Sequence, residues 1–224
     1  MRQTGAMTAN TVVTVHDTAA LLALIALGGV ILMVAARIIP TVVSVRFLAA
    51  LYRVQLPLAA LVATTAMAGS LWFSESGNHW TPCRFCWFQR IFMYSSAIIL
   101  IVAAIRRDRQ SKWYVVPLAI IGMAVSIWHY IFLEHFLVTE SNVCSLTIPC
   151  SIPYYVSFGD LQKGADGVIR TGFPMTLAAM ALCGFAAILA LLLIPEPIEP
   201  LDADRDQDLD QHEENQKDGE SQAG

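Results

Sequence analysis

TPCRFCWFQR, residues 81–90, decides the fold. Cys83 and Cys86 stand at Cys-x-x-Cys spacing, and behind them runs an apolar stretch of about 20 residues, the length of one bilayer-spanning helix. Thr81 suits an N-cap and Pro82 a first helical position, so the spacing predicts a helix with Cys83 in its first turn. Free backbone N–H groups and the helix dipole there favour a thiolate. Cys86 follows three residues later and Arg90 four beyond that, which puts all three on one face. An arginine at membrane depth costs roughly 2.5–3.5 kcal/mol on insertion scales, so Arg90 is expected to face protein, water or a ligand acceptor.

Other readings of the same residues exist. The dithiol could be a structural disulfide or half of a zinc site, although Cys-x-x-Cys closes a tight ring more typical of redox centres. Haem attachment would need His after the second cysteine, where Trp87 stands. Arg90 could also snorkel to the interface.

Outward from this stretch the chain reads as an all-α membrane protein. Of its 224 residues 56% are hydrophobic, and the mean hydropathy is +0.56. Five apolar segments are expected, at about 18–36, 51–73, 86–105, 113–136 and 172–194. They make a four-helix transmembrane bundle over 49–195 plus one extra N-terminal transmembrane helix within 1–48. That first segment has no cluster of positive charge and no clean small-x-small cleavage site, so a retained helix is expected rather than a signal peptide. From Glu196 onward there are 11 acidic and 2 basic residues, a solvated tail, 196–224, with almost no apolar content.

Sidedness is read from the basic residues. The connection RRDRQSK, with Arg106, Arg107, Arg109 and Lys112, is expected on the cytoplasmic side, as is the one carrying Arg37 and Arg46. The Cys83 end, the loop 137–171 and the N-terminus then face outward, and the acidic tail faces in. Four of five cysteines, Cys83, Cys86, Cys144 and Cys150, fall on the outer side, where disulfides persist. Cys183 lies within the last segment, as a small packing residue. The outer loop is too long and too apolar for a passive linker.

The stretch TPCRFCWFQRIFMY resembles the Pro-Cys-x-x-Cys-Trp-x-Gln-Arg signature of the DsbB/BdbC family of membrane thiol:quinone oxidoreductases. The resemblance covers about Leu51 to Ile194. It is carried by Cys83, Cys86, Trp87, Gln89 and Arg90, by the basic inner loop, by the second outer cysteine pair, and by His129 in WHY. The Cys144/Cys150 spacing is closer to the BdbC type. The first helix is extra, the stretch GDLQKGADGVIR looks like an insertion, and the entry to the last helix around Pro174 only partly keeps the family pattern.

The resemblance implies a function in a bacterial cytoplasmic membrane. A DsbA-like thioredoxin-fold oxidase would dock on the outer loop and attack a Cys144–Cys150 disulfide, most directly at Cys144. The loop dithiol would reduce Cys83–Cys86, and Cys86 would pass two electrons to a quinone, ubiquinone or menaquinone, with Arg90 on a quinone oxygen. His129 would sit near the quinone and could relay protons, or be a hydrogen-bonded interfacial histidine. Gln89 faces away from Cys86. No metal and no nucleic acid is expected. Two rivals stand beside this reading. A vitamin K epoxide reductase-like enzyme carries its two cysteine pairs in the opposite order. A non-enzymatic membrane protein would use the four cysteines for structural disulfides or zinc.

Overall fold

The computed structural model describes residues 9–76, 82–131, 161–164, 167–170 and 175–196. Its helices are α1 (Ala9–Ile38), α2 (Val42–Leu71), α3 (Arg84–Arg106), α4 (Lys112–Ile127) and α5 (Leu177–Leu192). A π-helical turn, Trp72–Ser76, extends α2, and another at residues 128–131 extends α4.

Local chemistry sets the helix boundaries. Pro40 cannot continue α1, and Thr41 restarts the chain as the N-cap of α2, its Oγ1 accepting from Ser44 N–H at 3.1 Å. Helix α2 therefore begins well before the expected position near 51, and Arg46 is helical rather than in a connection. Arg107 ends α3 in the left-handed conformation, φ 54°. Asp108 then organises the short basic turn. Its carboxylate accepts from Gln110 N–H at 2.9 Å and from the Ser111 hydroxyl at 3.0 Å. Arg109 lies 4.3 Å over the Tyr52 ring, which ties this turn to α2. Thr176 caps α5 through Ala179 N–H at 3.1 Å. The last helix thus starts at Leu177 instead of near Gly172, and at 16 residues it is shorter than α1, α2 and α3 and equal to α4.

Helix α3 packs on α2 and α4, and α5 packs on the same two from the other side, closing a four-helix bundle. Helix α1 stands outside this ring, mainly against α5. Leu56, Ala59 and Ala63 of α2 meet Met93, Ala97 and Leu100 of α3, Val115 and Ala119 of α4, and Phe185, Ile188 and Leu192 of α5. Small residues allow that approach. At Gly122 of α4 a Cβ would run into the Phe185 ring, so glycine is what lets α4 and α5 come together there. Outward faces carry large apolar side chains, among them Ile25, Leu61, Ile98 and Ile120.

Four of the helical segments are long and apolar enough to cross a bilayer, and α5 is a shorter apolar helix. The protein is an all-α, multi-pass membrane protein. Among the described residues, β1 (Leu161–Gly164) and β2 (Gly167–Arg170) depart from helical structure and pair antiparallel, Leu161 opposite Arg170 and Gly164 opposite Gly167. They fall within the stretch read from sequence as an insertion. Each strand is four residues long and one end of each is glycine, too little for an alternating pattern to register.

Candidate redox site

The site is built at the start of α3. Cys83 itself is the N-cap, with φ −70° and ψ 169°, and its Sγ accepts the Cys86 N–H at 3.1 Å. The sequence placed Thr81 in that role and Cys83 in the first turn. Thr81 lies outside the described residues, and the helix starts one residue after Cys83. A sulfur at the N-cap meets one of the unpaired N–H groups that open every helix. Cys83 is 3% exposed, and Cys86 is half-buried.

Helix α4 supplies the second wall. His129, in its π-helical turn, is buried, and its Nε2 lies 3.9 Å from Cys83 Sγ. The ring packs on Phe85 at 5.8 Å between centroids. Its other nitrogen, Nδ1, is 3.5 Å from the Gln89 amide nitrogen, which donates to Ser126 Oγ at 3.2 Å. Ser126 in turn donates to the Gly122 carbonyl at 2.8 Å. Gln89 and Ser126 are both buried. A buried polar chain thus runs Cys83, His129, Gln89, Ser126. The amide can donate to a neutral ring or, turned over, accept from Nδ1–H of a charged one.

These contacts act on the sulfur. The Cys86 thiol hydrogen bond is the largest influence lowering the Cys83 pKa, followed by the His129 hydrogen bond and charge and the Cys86 N–H. Burial opposes them, and the thiol is held down at about 4.

Helix α2 supplies the third wall. Arg90 donates from Nε to Ser70 Oγ at 3.0 Å and from Nη2 to the Ser70 carbonyl at 2.9 Å. Ser70 lies two residues before the π-helical turn that begins at Trp72, and its carbonyl also accepts from Ser74 Oγ at 3.2 Å. Two of the five guanidinium N–H groups are engaged by Ser70, which leaves three for other acceptors. The guanidinium carbon is 5.5 Å from the Trp87 ring centre, and Trp87 is 54% exposed. Arg90 is therefore bonded to α2 and half-buried.

Of the residues singled out from sequence, Cys83, Cys86 and His129 come together, their donor atoms within 4.8 Å of one another. Arg90 lies one helical turn further along α3. Cys144 and Cys150 lie outside the described residues. Cys183 is buried among Ala179, Met175, Phe73 and Ala20, a packing position. The sequence reading gave no role in the site to Ser126 and Ser70, and only a peripheral one to Gln89. Ser126 and His129 share one face of α4 at i, i+3, and a Gln inside an apolar run is costly enough to have flagged a polar partner.

No solved structure matches the chain. Among curated proteins it is 45% identical over 101 residues to disulfide bond formation protein C of Bacillus subtilis, covering 44% of this chain and 71% of that one. It is 39% identical over 143 residues to the "Probable disulfide formation protein" of Deinococcus radiodurans, covering 63% and 88%. It is 37% identical over 99 residues to the "Probable disulfide formation protein C" of Halalkalibacterium halodurans, covering 44% and 72%. The family described as disulfide bond formation protein DsbB matches residues 52–195, which takes in α3, α4, α5 and most of α2. The chain belongs to the DsbB family.

Proposed function

We propose that this protein is a thiol:quinone oxidoreductase that reoxidises a DsbA-like thioredoxin-fold disulfide donor and so sustains disulfide formation outside the cytoplasm. The observation that carries the reading is the Cys83 sulfur, held by Cys86 N–H and faced by His129, on the same helix as an arginine anchored to α2. The working unit is 49–195. Its cysteine end faces outward, its Arg106–Lys112 turn faces the cytoplasm, and the tail 196–224 lies inside.

In this reading Cys144 and Cys150 of the loop 137–171 exchange with the soluble partner, and the loop dithiol then reduces Cys83–Cys86. The N-cap position and His129 hold Cys83 as a thiolate once the pair is reduced, the form that thiol–disulfide exchange requires. Gln89 orients the His129 ring, so a proton can be held or released at Nε2, beside the sulfur. The residues fit a quinone: Arg90, with donors beyond those Ser70 engages, would hold an oxygen, and half-exposed Trp87 and half-buried Cys86 leave this side approachable from lipid. A quinone bound there supplies an acceptor for two electrons and two protons, so that the dithiol becomes a disulfide. The acceptor is a membrane quinone, ubiquinone or menaquinone.

The test is anaerobic mixing of the purified protein with a reduced thioredoxin-like oxidase and a quinone, following quinone absorbance. Stoichiometric loss of the quinone band with oxidation of the partner is expected. An oxidised partner without quinone loss, or no reaction in well-folded protein, would remove the proposal. An impermeant thiol probe should reach 137–171 in intact cells, and labelling only after lysis would reverse the orientation.

A further inference from the structure

Cys83 Sγ, Cys86 Sγ and His129 Nε2 have a second use that electron transfer does not need. We propose that the reduced centre is a redox-gated binding site for a thiophilic divalent cation such as Zn²⁺, and that occupancy arrests the dithiol. The inference rests on the reading of Cys83 and Cys86 as the working pair.

The geometry is close to that of a zinc site. Zn–S bonds of about 2.3 Å and Zn–N bonds of about 2.0–2.1 Å in a tetrahedron put the donors about 3.6–3.8 Å apart. Here Cys83 Sγ and His129 Nε2 are 3.9 Å apart, and the three donor atoms all lie within 4.8 Å of one another. A contraction of about 1 Å, within reach of side-chain rotation, closes the set. Two thiolates and one imidazole are ligands zinc prefers, and they leave its fourth position open.

The surroundings suit the ion as well. A ligating histidine needs its other nitrogen fixed by an acceptor, and Nδ1 already faces the Gln89 amide, itself held by Ser126. With the amide turned, its oxygen accepts Nδ1–H, and the Ser126 hydroxyl swings its one hydrogen from the Gly122 carbonyl to that oxygen. Two thiolates also cancel the charge of a divalent cation, which removes the main objection to an ion in a site this buried.

Redox state gates the site. In the disulfide each sulfur is bonded to the other and neither is a thiolate, so only the dithiol offers the full ligand set. No electron moves on binding. The metal forms two M–S bonds and one M–N bond, and the thiol protons still present leave to solvent. With both sulfur lone pairs committed, the S–S bond cannot form until the metal departs.

The experiment uses the full-length protein in detergent, with Co²⁺ as spectroscopic probe and Zn²⁺ as competitor. The reduced chain should bind one Co²⁺ with thiolate-to-cobalt charge-transfer and tetrahedral d–d bands, displaced by Zn²⁺, and the oxidised chain should show none. The Cys144→Ala, Cys150→Ala double variant should bind as well as the parent. His129→Ala should weaken binding at least 10-fold, and Gln89→Leu by about 10-fold through the ligand it orients. Because His129→Ala could fail to fold, His129→Cys serves beside it, retaining the ion with a stronger charge-transfer band from the third thiolate. Equal binding by the oxidised chain, loss of binding in the loop double variant, or identical spectra for parent and His129→Cys would overturn the site. With Zn²⁺ present, turnover with partner and quinone should stop and return on chelation. Turnover that continues with the ion bound would overturn the arrest. Binding without any metal-free turnover would instead count against the oxidoreductase reading, so the two failures are separable.

Discussion

Helix α3 lies between two unlike neighbours. Toward α4 it buries Cys83 and Gln89 against His129 and Ser126, a closed side whose polar atoms bond to one another. Toward α2 it presents Arg90, bonded to Ser70, beside a Trp87 more than half exposed, an open side. Each side meets a different requirement. A thiolate and a movable proton need fixed partners and exclusion of lipid and water. A lipid-soluble oxidant needs an entrance and a cation with donors to spare. The division teaches that the helix separates tuning of the sulfur from admission of the acceptor, and substitutions on the two sides should therefore fail in different ways.

The largest effect is expected on the closed side. His129→Ala removes the imidazole facing Cys83 and any proton held there. Positioned acid–base groups contribute about 10²–10⁴-fold, so kcat should fall about 100-fold while the apparent KM for quinone hardly moves. Steady-state kinetics at varied quinone measures both. A raised KM with an unchanged kcat would transfer His129 to the open side and erase the distinction.

On the open side, Arg90→Ala should raise the apparent KM for quinone about 10-fold and leave disulfide exchange with the partner nearly intact. Arg90→Lys should restore only part of the affinity, since one ammonium cannot hold both Ser70 atoms and a ligand oxygen with the planar fork of guanidinium. Full rescue by lysine would reduce Arg90 to a point charge. An unchanged KM in well-inserted Arg90→Ala protein would take it out of the site.

The two sides were unequally legible in the sequence. The open side is local: Cys86 and Arg90 are one turn apart, and helical spacing together with the cost of a membrane arginine reads both. The closed side depends on tertiary contact. Cys83 and His129 are 46 residues apart, and Gln89 and Ser126 37, so no spacing rule joins them. The helix count came from apolar length alone, but the boundaries followed caps such as Thr41 and Thr176, which hydropathy does not register. Helix α1 was visible as a segment, whereas its seat against α5 was not, because a helix apolar all round advertises no face.

The smallest effect tests how far the closed side extends. Gln89 does not touch a sulfur; it sits between Ser126 and His129 Nδ1. Gln89→Leu keeps the volume and takes one partner from each group, while Ser126 keeps its bond to the Gly122 carbonyl. The ring is then held less firmly toward Cys83, which weakens the second of the influences that lower this thiol, while the first, the Cys86 thiol, stays. In metal-free, reduced protein the Cys83 thiolate is present above about pH 4 and is lost as the pH falls through that value. The variant should lose it at a higher pH, since weaker stabilisation of the charged form moves a thiol up toward its ordinary range. Because Cys86 remains, the displacement should be smaller than that of His129→Ala, and Gln89→Glu, which keeps an acceptor at Nδ1, should stay near the parent. Thiolate ultraviolet absorbance followed across pH in the three variants measures this ordering. A Gln89→Leu curve that coincides with the parent would mean that His129 holds its place without Gln89, and would shorten the closed side to Cys83 and the imidazole.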